Sequence, residues 1–225
     1  MRCLVLPGTL LTGRSLAALG GEPLLLGEAP TLDDEVDRLA ALAPSPAVWI
    51  GHSLGGIVAL ELARRYPDRV AALVLLAANA RAGRDTLESR RAAQWALAQR
   101  AGLSALVREQ LAPAYGLAAD DPLTASLAEQ AESVGLARFE HQLNYARQRP
   151  GLLAPPCLLP MPMLALSGEH DALCPPTQSD ELLALAAAGQ GEHQMLAGAG
   201  HLFPMQQGAW AAAHLQRFLT SLERS

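Results

Sequence analysis

The sequence predicts an α/β fold: a mostly parallel sheet of about six strands flanked by helices, with a helical insertion ahead of the last strands. Three observations carry this expectation. Strand-like and helix-like runs alternate through the first third of the chain, the pattern of a parallel sheet covered on both faces. The run Ala71-Ala72-Leu73-Val74-Leu75-Leu76 is continuously apolar, as a strand buried on both sides requires. Finally, Gly51-His52-Ser53-Leu54-Gly55-Gly56 falls between an apolar run and a helix-like segment, where glycines flanking a serine permit a sharp strand-to-helix turn.

The elements follow in order. Cys3 to Leu6 reads as a buried strand, Pro23 to Leu26 as a second, Leu32 to Leu42 as a helix and Ala47 to Ile50 as a third strand. Leu54 to Arg65 is a helix and Val70 to Leu76 a strand. From about Ala80 to Arg149 the texture turns helical and rich in Arg, Glu and Gln, with stops at Gly102, Pro113, Gly116 and Pro122, and is read as a cap inserted at about 80–150. Strand pattern resumes at Met163 to Leu166. A helix (Gln178 to Ala187), a strand (His193 to Leu196) and a closing helix (Trp210 to Leu222) complete the chain. There is no internal repeat.

Length and composition narrow the function. At 225 residues the chain supports one sizeable core, so a single domain over 1–225 is expected. Half the residues are hydrophobic and the formal charge of −5 comes without a basic block, which gives no nucleic-acid footprint. The apolar start breaks at once into Pro7-Gly8, too short for a signal-peptide core. The longest apolar run, Val70 to Ala78, falls well short of the ~18 residues a membrane helix needs. Cys3, Cys157 and Cys174 are odd in number with no metal-like pairing, so reduced thiols in a cytoplasmic protein are expected, with no metal and no cofactor.

Ser53 is the candidate nucleophile. An unassisted hydroxyl is a poor nucleophile at neutral pH, so it needs a base, and the base needs an orienting acid. Asp171 follows the strand Met163–Leu166 in Ser167-Gly168-Glu169-His170-Asp171, and His201 follows the next strand in Leu196-Ala197-Gly198-Ala199-Gly200-His201. Both loops leave strand ends, where side chains reach one edge of a parallel sheet. Glu169 and Asp180 are the other acids in range; Asp180 is read as a helix cap. Among the remaining histidines, His52 is read as packing under the turn, His170 as a loop neighbour of the acid, His141 as either a cap residue near substrate or a solvent-facing one, and His193 and His214 as structural.

The order Ser, Asp, His is that of α/β-hydrolases. The chain resembles that superfamily over nearly its whole length, through Leu6-Pro7-Gly8-Thr9, the elbow GHSLGG, the acid loop SGEHDALCPP and the histidine loop GAGHLFP. The resemblance implies a serine hydrolase of carboxylic-ester-type bonds working through an acyl-enzyme, with Ser53, His201 and Asp171 as catalytic residues. It implies an oxyanion hole formed by the N–H of Leu54, at the start of a helix, and by the N–H of Thr9, with Leu10 as the fallback. Proline at position 7 departs from the histidine many relatives carry there. Asn79, where some relatives place the acid, cannot supply the charge.

The stretch from Thr86 to Gly102 is similar to the helical lids of small esterases and enol-lactonases, which favours oxygen esters of modest size. Carbon-carbon hydrolase, thioesterase and slow-turnover ligand-binding member remain alternatives. The expected partner is a small-molecule ester, with no nucleic acid or membrane. Relatives usually carry a β-hairpin ahead of the first parallel strand; here the edge so exposed either pairs with a second copy or is protected, leaving monomer or homodimer. Leu10, Leu202 and Met205 are the candidate substrate-binding residues, and Trp95, Leu103, Tyr115, Phe139, Leu143 and Tyr145 are either pocket wall or core. Activity is expected to fall as pH drops through the ordinary histidine range near ~6.5.

Overall fold

In the computed structural model, which describes residues 1–83 and 88–224, six strands form one sheet in the order β2-β1-β3-β4-β5-β6. They are β1 (Cys3–Leu6), β2 (Glu22–Pro23), β3 (Ala47–His52), β4 (Val70–Leu76), β5 (Met163–Gly168) and β6 (Gly191–Leu196). Every neighbouring pair is parallel. Helices α1 (Leu32–Leu42) and α2 (Leu54–Arg65) cross over from β2 to β3 and from β3 to β4, and α8 (Pro176–Leu183) from β5 to β6. The chain closes with α9 (Phe203–Gln206) and α10 (Gly208–Leu222).

Strand periodicity sends successive side chains to opposite faces, and this builds two cores at once. Leu4, Leu6, Trp49, Leu73 and Leu75 pack with Val36, Leu39, Val58 and Leu62 of α1 and α2. Val5, Val48, Ile50, Val74 and Leu76 face the other way, onto Phe203, Leu215 and Phe218. The Trp49 indole N–H donates to the Arg69 carbonyl at 3.1 Å, so its burial leaves no orphaned donor.

Between β4 and β5 run α3 (Glu88–Ala101), α4 (Leu103–Leu106), a π-helical turn at Val107–Leu111, α5 (Ala112–Ala114), α6 (Pro122–Val134) and α7 (Leu136–Gln148). Gly102 and Gly135, at φ 87 and 85, break this segment into separate helices, and Asp121 caps α6 by accepting from the Leu123 N–H at 2.8 Å. Leu97, Leu103, Leu106, Leu127, Phe139 and Leu143 of this segment enclose a third core with Leu10, Leu11 and Leu202. The loop after β1 and the segment after β6 are thereby roofed by α3–α7.

Several boundaries differ from the sequence reading. The second strand is Glu22–Pro23 rather than Pro23 to Leu26: the Leu24 N–H still donates to the Val5 carbonyl at 2.9 Å, and the chain then leaves the sheet to reach Gly27 at φ 102. Pro23 and the brevity of β2 blunt that edge. The helix expected at Gln178 to Ala187 is α8, Pro176–Leu183; Ala186 instead bridges to Leu159, so tertiary pairing ends the helix. Pro113 sits in the first turn of α5 rather than stopping a helix. Asp180 lies inside α8 and caps nothing: its carboxylate meets His193 Nδ1 at 2.8 Å. Thr86, where the lid-like stretch begins, lies outside the described residues. Among the described residues no helix is long and apolar enough to cross a membrane.

Candidate active site

The turn between β3 and α2 holds Ser53 at φ 52 and ψ −114, a conformation that side-chain-bearing residues rarely adopt. It is fixed from both sides: the Ser53 N–H donates to the Leu76 carbonyl at 2.9 Å, and its carbonyl accepts from Ile57 at 3.2 Å. The flanking glycines are steric necessities. A Cβ on Gly51 would lie 2.4 Å from the Gly55 oxygen, and one on Gly55 2.1 Å from the Leu6 oxygen. Backbone cannot yield at those distances, so Gly55→Ala is expected to cost about 3 kcal/mol or more, read as a lowered midpoint in chemical denaturation.

The loops after β5 and β6 deliver the other groups. His201 Nε2 stands 3.0 Å from Ser53 Oγ, and His201 Nδ1 stands 2.8 Å from Asp171 Oδ2. A carboxylate only accepts, so the imidazole proton is on Nδ1 and Nε2 is free to take the serine proton. Asp171 is aimed by its other oxygen, Oδ1, which accepts from the N–H groups of Leu173 and Cys174 at 2.9 Å each. Asp171 and His201 are both buried, and Ser53 is partly exposed.

Glu169 has a different task from the acid once open to it. Its carboxylate accepts from the Gly198 N–H at 2.7 Å while the His170 N–H donates to the Ala199 carbonyl at 2.8 Å, so the acid loop and the histidine loop are laced together. His52 buttresses the site from below. Its Nε2–H donates to the His201 carbonyl at 3.1 Å and its ring lies 5.1 Å from that of His201. Its Nδ1 finds no hydrogen-bond partner among the described residues.

Burial, and after it the neighbouring His201, lowers the His52 pKa to about 3. The depressed value means that stability supplied by neutral His52 is present above ~6.5 and is lost as pH falls toward 3. Between pH 7 and 5 this amounts to ~2 kcal/mol, or ~4–8 °C in melting temperature for a chain of this length. Melting curves across that range are expected to shift less in His52→Phe.

The loop after β1 crosses directly over the serine: a Cβ on Gly8 would lie 3.4 Å from Ser53 Cβ. Its turn is closed by the Leu11 N–H to the Gly8 carbonyl at 3.1 Å, with Leu10 at φ 58. The fallback donor fails here, because the Leu10 N–H is committed to Gln142 Oε1 at 2.9 Å. Gln142, on α7, also donates to the Leu26 carbonyl at 2.9 Å and is buried. Nothing local in the sequence marks it, since its partners lie more than a hundred positions away. Leu54 begins α2, where the first N–H groups have no partner within the helix.

Of the other residues singled out, Leu10 is buried and lines an apolar slot with Thr9. Leu202 is buried in the third core and Met205 packs against it. Leu103, Phe139 and Leu143 are core, and Tyr145 is buried with its hydroxyl on the Ala29 carbonyl. His141 is tied to the turn after β2, its Nδ1 meeting the Gly27 carbonyl at 2.8 Å. Tyr115 lies over the His201 ring, and burial raises its hydroxyl pKa to about 12.

One grouping was not foreseen. Ligand-type atoms of Asp171, Cys174 and His201 lie within 4.8 Å of one another. The fit to a metal is poor. Asp171 and His201 already hold each other at 2.8 Å, and burial, then the Asp171 charge, pushes the Cys174 thiol up to about 12, far from the thiolate a metal takes.

The model of the alpha/beta hydrolase family matches residues 3–214. The chain belongs to that family. Among solved alpha/beta hydrolase structures, a thermophilic esterase from Thermogutta terrifontis superposes with a TM-score of 0.82 at 22% identity, covering 99% of this chain and 90% of that one. The enol-lactonase from Burkholderia xenovorans LB400 gives 0.76 at 20%, covering 97% and 91%. At such identities the likeness is one of fold. A shorter match, 50% identical over 48 residues, joins this hydrolase to the pimeloyl-[acyl-carrier protein] methyl ester esterase of Shewanella woodyi. It spans 21% of this chain and 19% of that relative.

Proposed function

We propose that this alpha/beta hydrolase cleaves carboxylic esters through an acyl-enzyme on Ser53. The observation that carries the reading is the single imidazole of His201 bridging Ser53 Oγ and a buried carboxylate at 3.0 and 2.8 Å. Ser53 Oγ attacks the ester carbonyl as its proton passes to His201 Nε2. Negative charge on the carbonyl oxygen is met by the N–H groups of Leu54 and Thr9, and the Asp171 carboxylate stabilises the imidazolium. The carbon–oxygen bond to the alcohol then breaks, His201 returning the proton to the departing oxygen. Water, deprotonated by the same imidazole, splits the acyl–Ser53 bond and restores the enzyme.

Esters are favoured over the carbon-carbon and thioester alternatives by the short 50%-identical match to a methyl ester esterase. The same reading makes residues of about 80–150 a cap on a single domain, supported by their shared core with the loop over Ser53. It places the enzyme in the cytoplasm, as monomer or homodimer, in keeping with three unpaired cysteines.

Hydrolysis of nitrophenyl esters of increasing acyl length tests the reading. Turnover of at least one member is expected; a folded protein inert toward all of them, and toward methyl esters, would remove it.

A further inference from the structure

Tyr115 follows α5, held by its N–H to the Leu111 carbonyl at 3.0 Å, and the chain then turns at Gly116 with φ 76. Its ring lies parallel to the His201 imidazole, centroids 5.5 Å apart and planes within 6°. Two hollows meet at this one side chain. Toward the loop over Ser53 is a slot of about 10 Å³ walled by Thr9, Leu10, Leu11, Val107 and Leu111. Toward the histidine loop is an open bowl of about 540 Å³, bordered by His170, Gly198, Gly200, Gln206 and Gln207.

The direction of proton transfer assigns the hollows. The departing oxygen must receive its proton from His201 Nε2, which sends the alcohol toward the histidine loop, whose residues 196–200, though not His201 itself, border the bowl. With the carbonyl oxygen held by the proposed Leu54 and Thr9 N–H groups, the acyl substituent is left toward the slot, which Thr9 lines. Its volume is that of about one water-sized group, ~10–15 Å³. Its walls are apolar apart from Thr9 and Tyr115, whereas the bowl offers imidazole, amide and main-chain groups.

We propose that Tyr115 is a specificity-determining partition, limiting the acyl group to about acetyl size while leaving the alcohol free to be large and polar. The preferred substrates are therefore short-chain, acetate-like esters of polar alcohols. This rests on the assignment of Ser53 as nucleophile and His201 as its base. Loss of the ring merges slot and bowl and admits longer acyl chains.

The test compares nitrophenyl acetate, butyrate and hexanoate, together with octyl acetate and methyl octanoate, on the wild-type chain, Tyr115→Ala and Tyr115→Phe. In the wild type kcat/KM is expected to fall roughly tenfold or more from acetate to hexanoate, and octyl acetate to outpace methyl octanoate. Tyr115→Ala should narrow or reverse the acyl ranking, with hexanoate gaining roughly tenfold relative to acetate. Tyr115→Phe, which keeps the stacked ring, should retain the wild-type ranking. A wild-type preference for hexanoate or methyl octanoate overturns the partition, as does an unchanged ranking in folded Tyr115→Ala. Should that variant fail to fold, Leu111→Ala opens the same slot and is read by the same ranking. Turnover that persists in Ser53→Ala, or none with any ester, overturns the nucleophile assignment and the partition with it.

Discussion

Ser53→Ala is expected to lower kcat by a factor of about 10⁵–10⁶ while leaving the melting temperature within ~2 °C of wild type. Only the hydroxyl is lost. The strained turn is imposed by hydrogen bonds of the Ser53 backbone to Leu76 and Ile57 and by the close approach of Gly51 and Gly55, none of which the substitution touches. The oxyanion donors are main-chain groups and also persist, so substrate binding should change little and KM should stay within a few-fold. Steady-state kinetics beside a thermal melt separates this outcome from simple unfolding.

Asp171→Asn is expected to cost about 10⁴ in kcat, also with KM nearly unchanged. The asparagine carbonyl can still accept from the Leu173 and Cys174 N–H groups, which keeps the loop in place. Its amide then faces His201 Nδ1 with a donor. The imidazole must present a lone pair there and carry its proton on Nε2, the atom that has to accept from Ser53. No carboxylate remains to stabilise the imidazolium. A loss of 10-fold or less would mean that another group orients His201; Glu169, pledged to Gly198, would have to leave its own hydrogen bond to do so.

What the sequence made legible follows burial and sequence distance. β1, β3 and β4 sit inside the sheet with both faces covered, so their apolar runs stood out. β2 does not follow the apolar run Leu24 to Leu26, which is apolar for a different reason: Leu26 is buried in the core as the chain leaves the sheet. In α8 the Ala-rich continuation looked helical, but pairing between Leu159 and Ala186 outcompeted propensity.

The site divides the same way. Ser53, Asp171 and His201 lie in loops whose local glycines and chain order signal them, and the fold brings the three together. Gln142 is an unremarkable glutamine on a helix until the chain folds it 132 positions back onto Leu10. His52 is legible in the sequence as packing under the turn, but the carbonyl it supports, that of His201, lies 149 positions away. The sequence leaves Tyr115 either pocket wall or core, and what decides its place is the imidazole its ring lies parallel to.

Whether Ser53 is the activated nucleophile is read by intact-mass and peptide-mapping analysis after treatment with an alkyl fluorophosphonate, a reagent that phosphonylates activated serine hydroxyls. One adduct per chain is expected, located on Ser53, formed in step with loss of ester turnover and absent from Ser53→Ala. Modification of another serine with turnover lost, or full turnover in a chain whose Ser53 is quantitatively modified, would contradict it.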